Sequence, residues 1–218
     1  MPSFALLQTK MEPRVRKPQA APVSPPNHQE QRRHIMQALH RCIRRKGYAF
    51  TSLRDLAEEA NMSASHVRYY FDGKDVVLEY YLEQFIQIVR NDLEEIATLP
   101  LERRITAIAD RFFGERVSRE RISVLFEIFG IAIHNKRMHA LKASHDDQVL
   151  QIIRTTLKDA SEDSASVEDD AIVLHALLVG LSTNMLFNSD QSLAIGRRLF
   201  LVTFRRMAGL PEQDVAAA

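Results

Sequence analysis

Residues 51–74 read TSLRDLAEEANMSASHVRYYFDGK, and their spacing predicts two short helices joined by a turn. Ser52 stands three residues before Asp55, so its hydroxyl can accept a free N–H of the first helical turn while the carboxylate suits the positive helix end. Leu53, Leu56, Ala57 and Ala60 recur at helical spacing and give one apolar face. Asn61 is the expected turn residue, because asparagine tolerates left-handed backbone angles, and Met62 can fill the space between the helices. Ser63 is the second cap candidate, opening a helix from Ala64 to Phe71.

The second helix has an unusual outer face. Val67 and Phe71, four apart, can anchor it inward, which leaves Ser65, His66, Arg68 and Tyr69 outward. Solvent does not call for basic and aromatic residues together. A DNA groove does, since Arg and hydroxyl groups serve phosphates and base edges, and aromatic rings touch thymine methyls and sugars.

Upstream, a helix is expected from about Asn27–Gln31 to Lys46, with Ile35, Ala38, Leu39, Cys42 and Ile43 on one face. Gly47 ends it, with basic residues in the last turn, and Tyr48 and Phe50 are expected to fold back onto the core. Cys42 is the sole cysteine, so no intrachain disulfide can form, and a small buried thiol explains it. Residues 1–28 contain six of the eight prolines and no apolar period, and are expected to form a flexible arm whose Lys10, Arg14, Arg16 and Lys17 could reach phosphates. The opening MPSFALLQTKMEPRVRK has no sustained apolar segment behind a basic start, so a cytoplasmic location is expected.

Downstream, the register is that of longer helices. One helix is expected over Asp75–Ala97 and ends before Pro100; the next two cover Leu101–Val117 and Arg121–Asn135, the latter apolar nearly all round, as central burial requires. A polar helix with a break near Ser144 follows and resumes from Asp147 to Ala160. After a polar loop at 161–166 come Val167–Phe187 and Ser192–Ala208, separated by the turn Asn188-Ser189-Asp190. This last pair carries more apolar surface than one body covers, which predicts pairing between two copies. No β pattern or heptad series appears, and the expected fold class is all-α. No apolar run reaches the roughly 18 residues of a membrane span, because Ala171–Phe187 is interrupted by His175, Ser182, Thr183 and Asn184.

The net charge of +1 selects no partner, but its distribution does. Residues 31–74 hold nine Arg/Lys against four Asp/Glu, and residues 75–218 hold 16 against 22. A basic N-terminal third on an acidic body is the footprint of a chain that presents one end to a polyanion. Arg41, Arg44 and Arg45 also suit a solvated helix face.

From about Ile35 to Leu78 the residues Gly47-Tyr48, Thr51-Ser52, Asp55-Leu56-Ala57, Met62-Ser63, Val67, Tyr70-Phe71 and Lys74-Asp75 resemble the helix-turn-helix domain of the tetracycline-repressor (TetR) family of transcription regulators. The resemblance covers about a fifth of the chain, and the later helices agree with the family's ligand-binding and dimerisation domain only in number and length. It implies an arm at 1–28, a DNA-binding domain at 29–74 and a ligand-binding and dimerisation domain at 75–218. It further implies that Ala64, Ser65, His66 and Tyr69 face the groove and that Arg54 reaches a base. Ser52, Arg68, Tyr70 and Lys74 fall where the family contacts phosphates, Lys74 with help from the following helix N-terminus. Two positions depart from the pattern: Asn61 stands where glycine is usual, and Arg68 where tyrosine is usual. The implied partners are double-stranded operator DNA, a second copy of the chain and a mostly apolar small-molecule effector that releases a repressor from its operator, with no cofactor and no membrane.

Candidate effector contacts are Phe112, Phe113, Phe126, Phe129, Ile133, His134, His175 and Met185, although ordinary core packing is the stronger explanation for each of the aromatics. Histidines in apolar helices need a partner, which a ligand or a neighbouring side chain can supply. His134, His139, His145, Asp146 and Asp147 lack the i, i+4 spacing of helical metal ligands, so no metal is expected. The sequence holds no G-x-S-x-G, H-E-x-x-H or phosphate-cradling glycine run, so no catalytic residue is assigned. Control by a partner protein remains an alternative to a small molecule, and an all-α enzyme is the reading from another class.

Overall fold

The structure is a computed structural model that describes residues 28–160, 166–188 and 192–211. Those residues form helices only: α1 (His28–Lys46), α2 (Leu53–Glu59), α3 (Ala64–Tyr70), α4 (Lys74–Ala97), α5 (Leu101–Phe113), α6 (Arg119–Ala132), α7 (Lys136–Ala160), α8 (Val167–Phe187) and α9 (Leu193–Met207). The fold is all-α. The arm expected at 1–28 lies outside the described residues except for His28, which opens α1; most of the loop at 161–166, and Ser189 and Asp190 of the last turn, also lie outside them.

Local chemistry sets the first elements. Ser52 and Asp55 form a reciprocal capping box at α2, Ser63 accepts from His66 N at α3, and Asn61 adopts a φ of 52°. Ile35, Leu39, Leu56, Val67, Phe71 and Leu78 then close a small core that also takes in Val124, Ile128 and Ala132 of α6. A second core gathers Ile105, Ile108, Ile153, Leu174, Phe200 and Phe204 from α5, α7, α8 and α9. α4 joins the two, with Val77, Leu78, Leu82 and Ile86 in the first and Val89, Leu93 and Ile96 in the second. Burying each such side chain stabilises the fold by about 1.5–3 kcal/mol, so α4 is fixed rigidly at both ends.

Several elements differ from what periodicity predicts. α5 stops at Phe113, because Gly114 turns extended while its N–H bonds Asp110 O, and Ser118 then caps α6. α7 runs unbroken through Ser144, since Met138, His145, Val149, Ile152 and Ile153 form one continuous buried stripe whose packing outweighs a single weak helix former. Phe50 is 78% exposed, whereas Tyr48 is buried. Thr51 explains the difference: its N–H bonds Tyr48 O and its hydroxyl bonds Gly47 O, so the tight turn leaves Phe50 on the outer corner. By length and composition α8 is long and apolar enough to cross a membrane, with a mean hydropathy of 1.6. Its Ala171, Leu174, Leu178, Leu181 and Met185 are instead buried in the second core, while Ile172, Val173, Val179 and Phe187 lie exposed on other faces.

Candidate nucleic-acid interface and effector cavity

Two features stand out, an exposed reading helix at one end and a cavity behind it. On α3, Ala64, Ser65, His66 and Arg68 are exposed and Tyr69 is 75% exposed, while Val67 is fully buried. Tyr70 is half-buried, its ring 4.9 Å from that of His28 and 5.5 Å from that of His66. The start of α1 therefore braces the reading helix, a contact that helical periodicity cannot reveal. Arg54 is exposed on α2 and pairs with Glu58 at 2.9 Å. The Ser52 hydroxyl bonds Asp55 at 2.6 Å within its cap. Lys74 gives two hydrogen bonds to the preceding turn, to Tyr48 O at 3.2 Å and Thr51 O at 2.8 Å, and its ammonium lies 4.2 Å from the Tyr48 ring centroid. An ammonium has three N–H donors, so one is left for an outside acceptor.

Ion pairs trim the basic excess of this end. Glu59 holds Arg41 at 2.7 Å and Arg45 at 2.9 Å, and Asp55 holds Lys46 at 2.7 Å. Hydrogen bonds from Lys46 and Ser52 keep the Asp55 carboxyl well below the usual carboxylate range. The remaining exposed cations include Arg33, Arg44 and Arg68.

The cavity has a volume of about 1000 Å³ and is walled by α4, α5, α6, α7 and α8. Of the eight residues singled out from the sequence, Phe112, Phe126, Phe129, Ile133 and His175 line it. Phe113 and Met185 are buried in the second core beside Gly196 and α9, and His134 is exposed in the turn after α6. On α6, Ile122, Val124, Ile128 and Ala132 are buried, while the half-buried Phe126 and Phe129 pack against the two cores and also line the cavity, as Ile122 and Ala132 do. Tyr81, Phe85 and Ile88 of α4 and Lys142, His145 and Asp146 of α7 also line the cavity. His145 and Asp146 stood out in the sequence only as possible metal ligands, and among the described residues no group suited to a metal ion occurs.

Burial pushes the His145 imidazole down to about 4; Asp146 opposes that shift, and Lys142, Arg111 and His175 add to it. Asp146 is half-buried, yet its carboxyl lies below the ordinary value, because hydrogen bonds from His175 and Lys142 outweigh its burial. Burial lowers Arg111, which stands 2.6 Å from Asp92.

A small helix-turn-helix head with its second helix exposed is thus set on a helical body that carries a cavity. Residues 35–81 match the model of bacterial regulatory proteins of the tetR family, and residues 100–200 match that of the BetI-type transcriptional repressor C-terminal domain. The chain belongs to the TetR family. This TetR-family regulator is 25% identical over 170 residues to the HTH-type transcriptional regulator PksA of Bacillus subtilis, covering 74% of this chain and 82% of PksA. Its fold is similar to that of a TetR transcription regulator from Haloarcula marismortui, at 20% identity and a TM-score of 0.72 over 83% of this chain and 97% of that one. It is also similar to a transcriptional regulator from Saccharomonospora viridis solved in complex with choline, at 21% identity and a TM-score of 0.71 over 79% of this chain and 94% of that one. As a TetR-family member the chain is a DNA-binding transcription regulator.

Proposed function

We propose that the chain is a cytoplasmic, homodimeric repressor that holds duplex operator DNA through α3 and releases it when a mostly apolar small molecule enters the cavity. The observation that carries this reading is the placement of the cavity on the two helices that hold the head. Tyr81 of α4 lines it and bonds His40 of α1 at 2.9 Å, while Glu127, next to the cavity residue Phe126 on α6, accepts the Tyr48 N–H at 2.5 Å. A ligand that moves either wall therefore acts on the head, and any preference it has between two head spacings becomes a change in DNA affinity.

In this reading 29–74 is the DNA-binding domain and 75–218 the effector and dimerisation domain. Ala64, Ser65, His66 and Tyr69 face base edges, Arg54 reaches a neighbouring base, and Ser52, Arg68, Tyr70 and Lys74 meet phosphates. Two heads must reach successive major grooves about 34–36 Å apart, so the regulator needs a partner copy. The apolar residues left exposed on α8 supply its interface. The cavity volume stands at the upper end of the roughly 300–1000 Å³ usual for small-molecule sites. The choline held by the Saccharomonospora viridis protein supports a small-molecule site in this type of fold. No catalytic role is assigned.

Selection of bound duplexes from fragmented DNA of the source organism tests the reading. Wild type should enrich a palindromic site, and Tyr69→Ala and His66→Ala should alter the preferred bases more than the affinity. Native mass spectrometry of the purified protein should find a retained small molecule or a dimer that accepts one. Failure to enrich any palindrome would sink the operator assignment.

A further inference from the structure

Several charged groups around the cavity are paired with one another. Arg111 stands 2.6 Å from Asp92, Arg197 holds Asp110 at 2.5 Å, and Lys142 bonds both oxygens of Asp146 at 2.6 Å, with His175 Nε2 at 3.4 Å from the same carboxylate. Glu95, Arg116 and Arg121 also line the cavity and are exposed, so their charges are shared with solvent. An ionised ligand group beside His145 would find Lys142 and Asp146 already paired with each other. Burying such a charge costs far more than burying a neutral polar group.

One polar ring is left over. His145 is 6% exposed and lies on the cavity wall, with ring centroids 5.8 Å from Phe85 and 6.5 Å from Phe129. Its Nδ1 is buried without a hydrogen-bond partner. An orphaned buried N–H is rarer in proteins than an under-used lone pair, which favours the neutral tautomer with its hydrogen on Nε2. Asp146 accepts from Lys142 and His175 and makes no hydrogen bond with the His145 ring. The ring therefore has one donor to give and apolar, aromatic neighbours around it.

Resting on the effector reading above, we propose that the cavity takes an uncharged molecule, an aromatic or alicyclic body bearing one hydroxyl or carbonyl oxygen that accepts a hydrogen bond from His145. The body lies against Phe85, Phe126 and Phe129, and the oxygen accepts the Nε2–H while Nδ1 keeps its lone pair unused. A carboxylate or a quaternary ammonium on the same body is disfavoured, because Lys142 and Asp146 next to the ring are already paired.

Four probes that share a body separate these cases: 4-biphenylmethanol, biphenyl, biphenyl-4-carboxylate and (4-biphenylylmethyl)trimethylammonium, each measured by equilibrium dialysis against the full chain. The alcohol should bind about five- to tenfold more tightly than biphenyl, the net worth of one hydrogen bond, and both ions more weakly than biphenyl. In His145→Phe the alcohol should fall to the level of biphenyl, while His145→Gln should keep part of the preference. Tightest binding by either ion, or an alcohol preference that survives in His145→Phe, would overturn the proposal. If His145→Phe does not fold, the ring ¹⁵N resonances of wild-type His145 decide instead: the alcohol must shift Nε2, and biphenyl must not. Binding of the biphenyl body without any hydroxyl preference defeats this inference alone, whereas failure of all four probes to bind defeats the effector reading of the cavity.

Discussion

Lowering the pH should destabilise this protein through His145, by an amount that the structure sets. The imidazole is pushed from 6.5 down to about 4 by burial in the folded chain, so between those values the unfolded chain binds a proton that the folded chain refuses. The stability contributed by the neutral ring is fully present above pH 6.5 and is lost as the pH falls toward 4. Each pH unit in that window costs about 1.4 kcal/mol, so a shift from pH 7 to pH 5 removes about 2 kcal/mol. In a chain of this length that lowers the melting temperature by about 4–8 °C. Urea unfolding at fixed protein concentration, followed by circular dichroism at pH 7, 6 and 5, measures it. His40 is also lowered by burial, so wild type alone does not isolate the effect. The decisive quantity is the difference from His145→Phe, whose ring suits the space between Phe85 and Phe129 and has no proton to take up. The variant should lose about 2 kcal/mol less than wild type over the same interval. Equal losses in the two proteins would refute the reasoning, because His145 would then titrate alike in the folded and unfolded chains.

Three further outcomes are expected. Arg68→Ala should weaken operator and non-specific DNA alike and reduce the slope of log affinity against log salt by about 1, as loss of one phosphate contact does; an unchanged slope would remove Arg68 from the phosphate contacts. Phe187→Glu should weaken dimerisation by about 2 kcal/mol per ring taken out of the interface, read by analytical ultracentrifugation, and should leave the helical content of the protomer intact. Glu127→Ala should leave 4-biphenylmethanol binding in place while reducing the effect of that ligand on DNA affinity, checked by fluorescence anisotropy of labelled operator with and without ligand.

What was legible in the sequence was what depends on neighbours along the chain. The capping box at Ser52 and Asp55, the left-handed Asn61 and the inward Val67 and Phe71 are set within a few residues, so spacing and residue type suffice. Phe50 was misjudged because its fate depends on hydrogen bonds made by Thr51, which turn the chain before the ring can reach the core. The break expected at Ser144 is absent because helix propensity is a weak preference and the buried stripe of α7 spans it. The cavity was partly legible for a related reason. Helical period identifies an apolar face but not whether that face meets side chains or open space, so Phe113 and Phe112, adjacent in sequence, part company: one packs near Gly196 and Phe200, the other lines the cavity. Tyr81 and Phe85, apolar positions in the helical period of α4, line the cavity in the same way.

The geometry also bears on how small a movement is enough. Tyr48 is held from both cavity walls: its N–H donates to Glu127 of α6, its hydroxyl donates to Asp75 in the first turn of α4, and its carbonyl accepts from Lys74. A second link runs from Tyr81 to His40, whose rings stack with only 3° between their planes. Allosteric coupling usually amounts to about 1–3 kcal/mol, and one hydrogen bond to a charged group is worth about 1.5–3 kcal/mol. A ligand wedged between Phe85 of α4 and Phe129 of α6, whose ring centroids stand 6.4 Å apart, therefore need not rearrange the body. It has only to displace α6 far enough to take Glu127 out of reach of the Tyr48 N–H, and that one loss matches the coupling a regulator requires. α4 spans 24 residues, about 36 Å at 1.5 Å per residue, and it is fixed in both cores. It can transmit a tilt without bending, so the short α1–α2 turn, and not the long helix, is where the coupling can be broken by a single substitution.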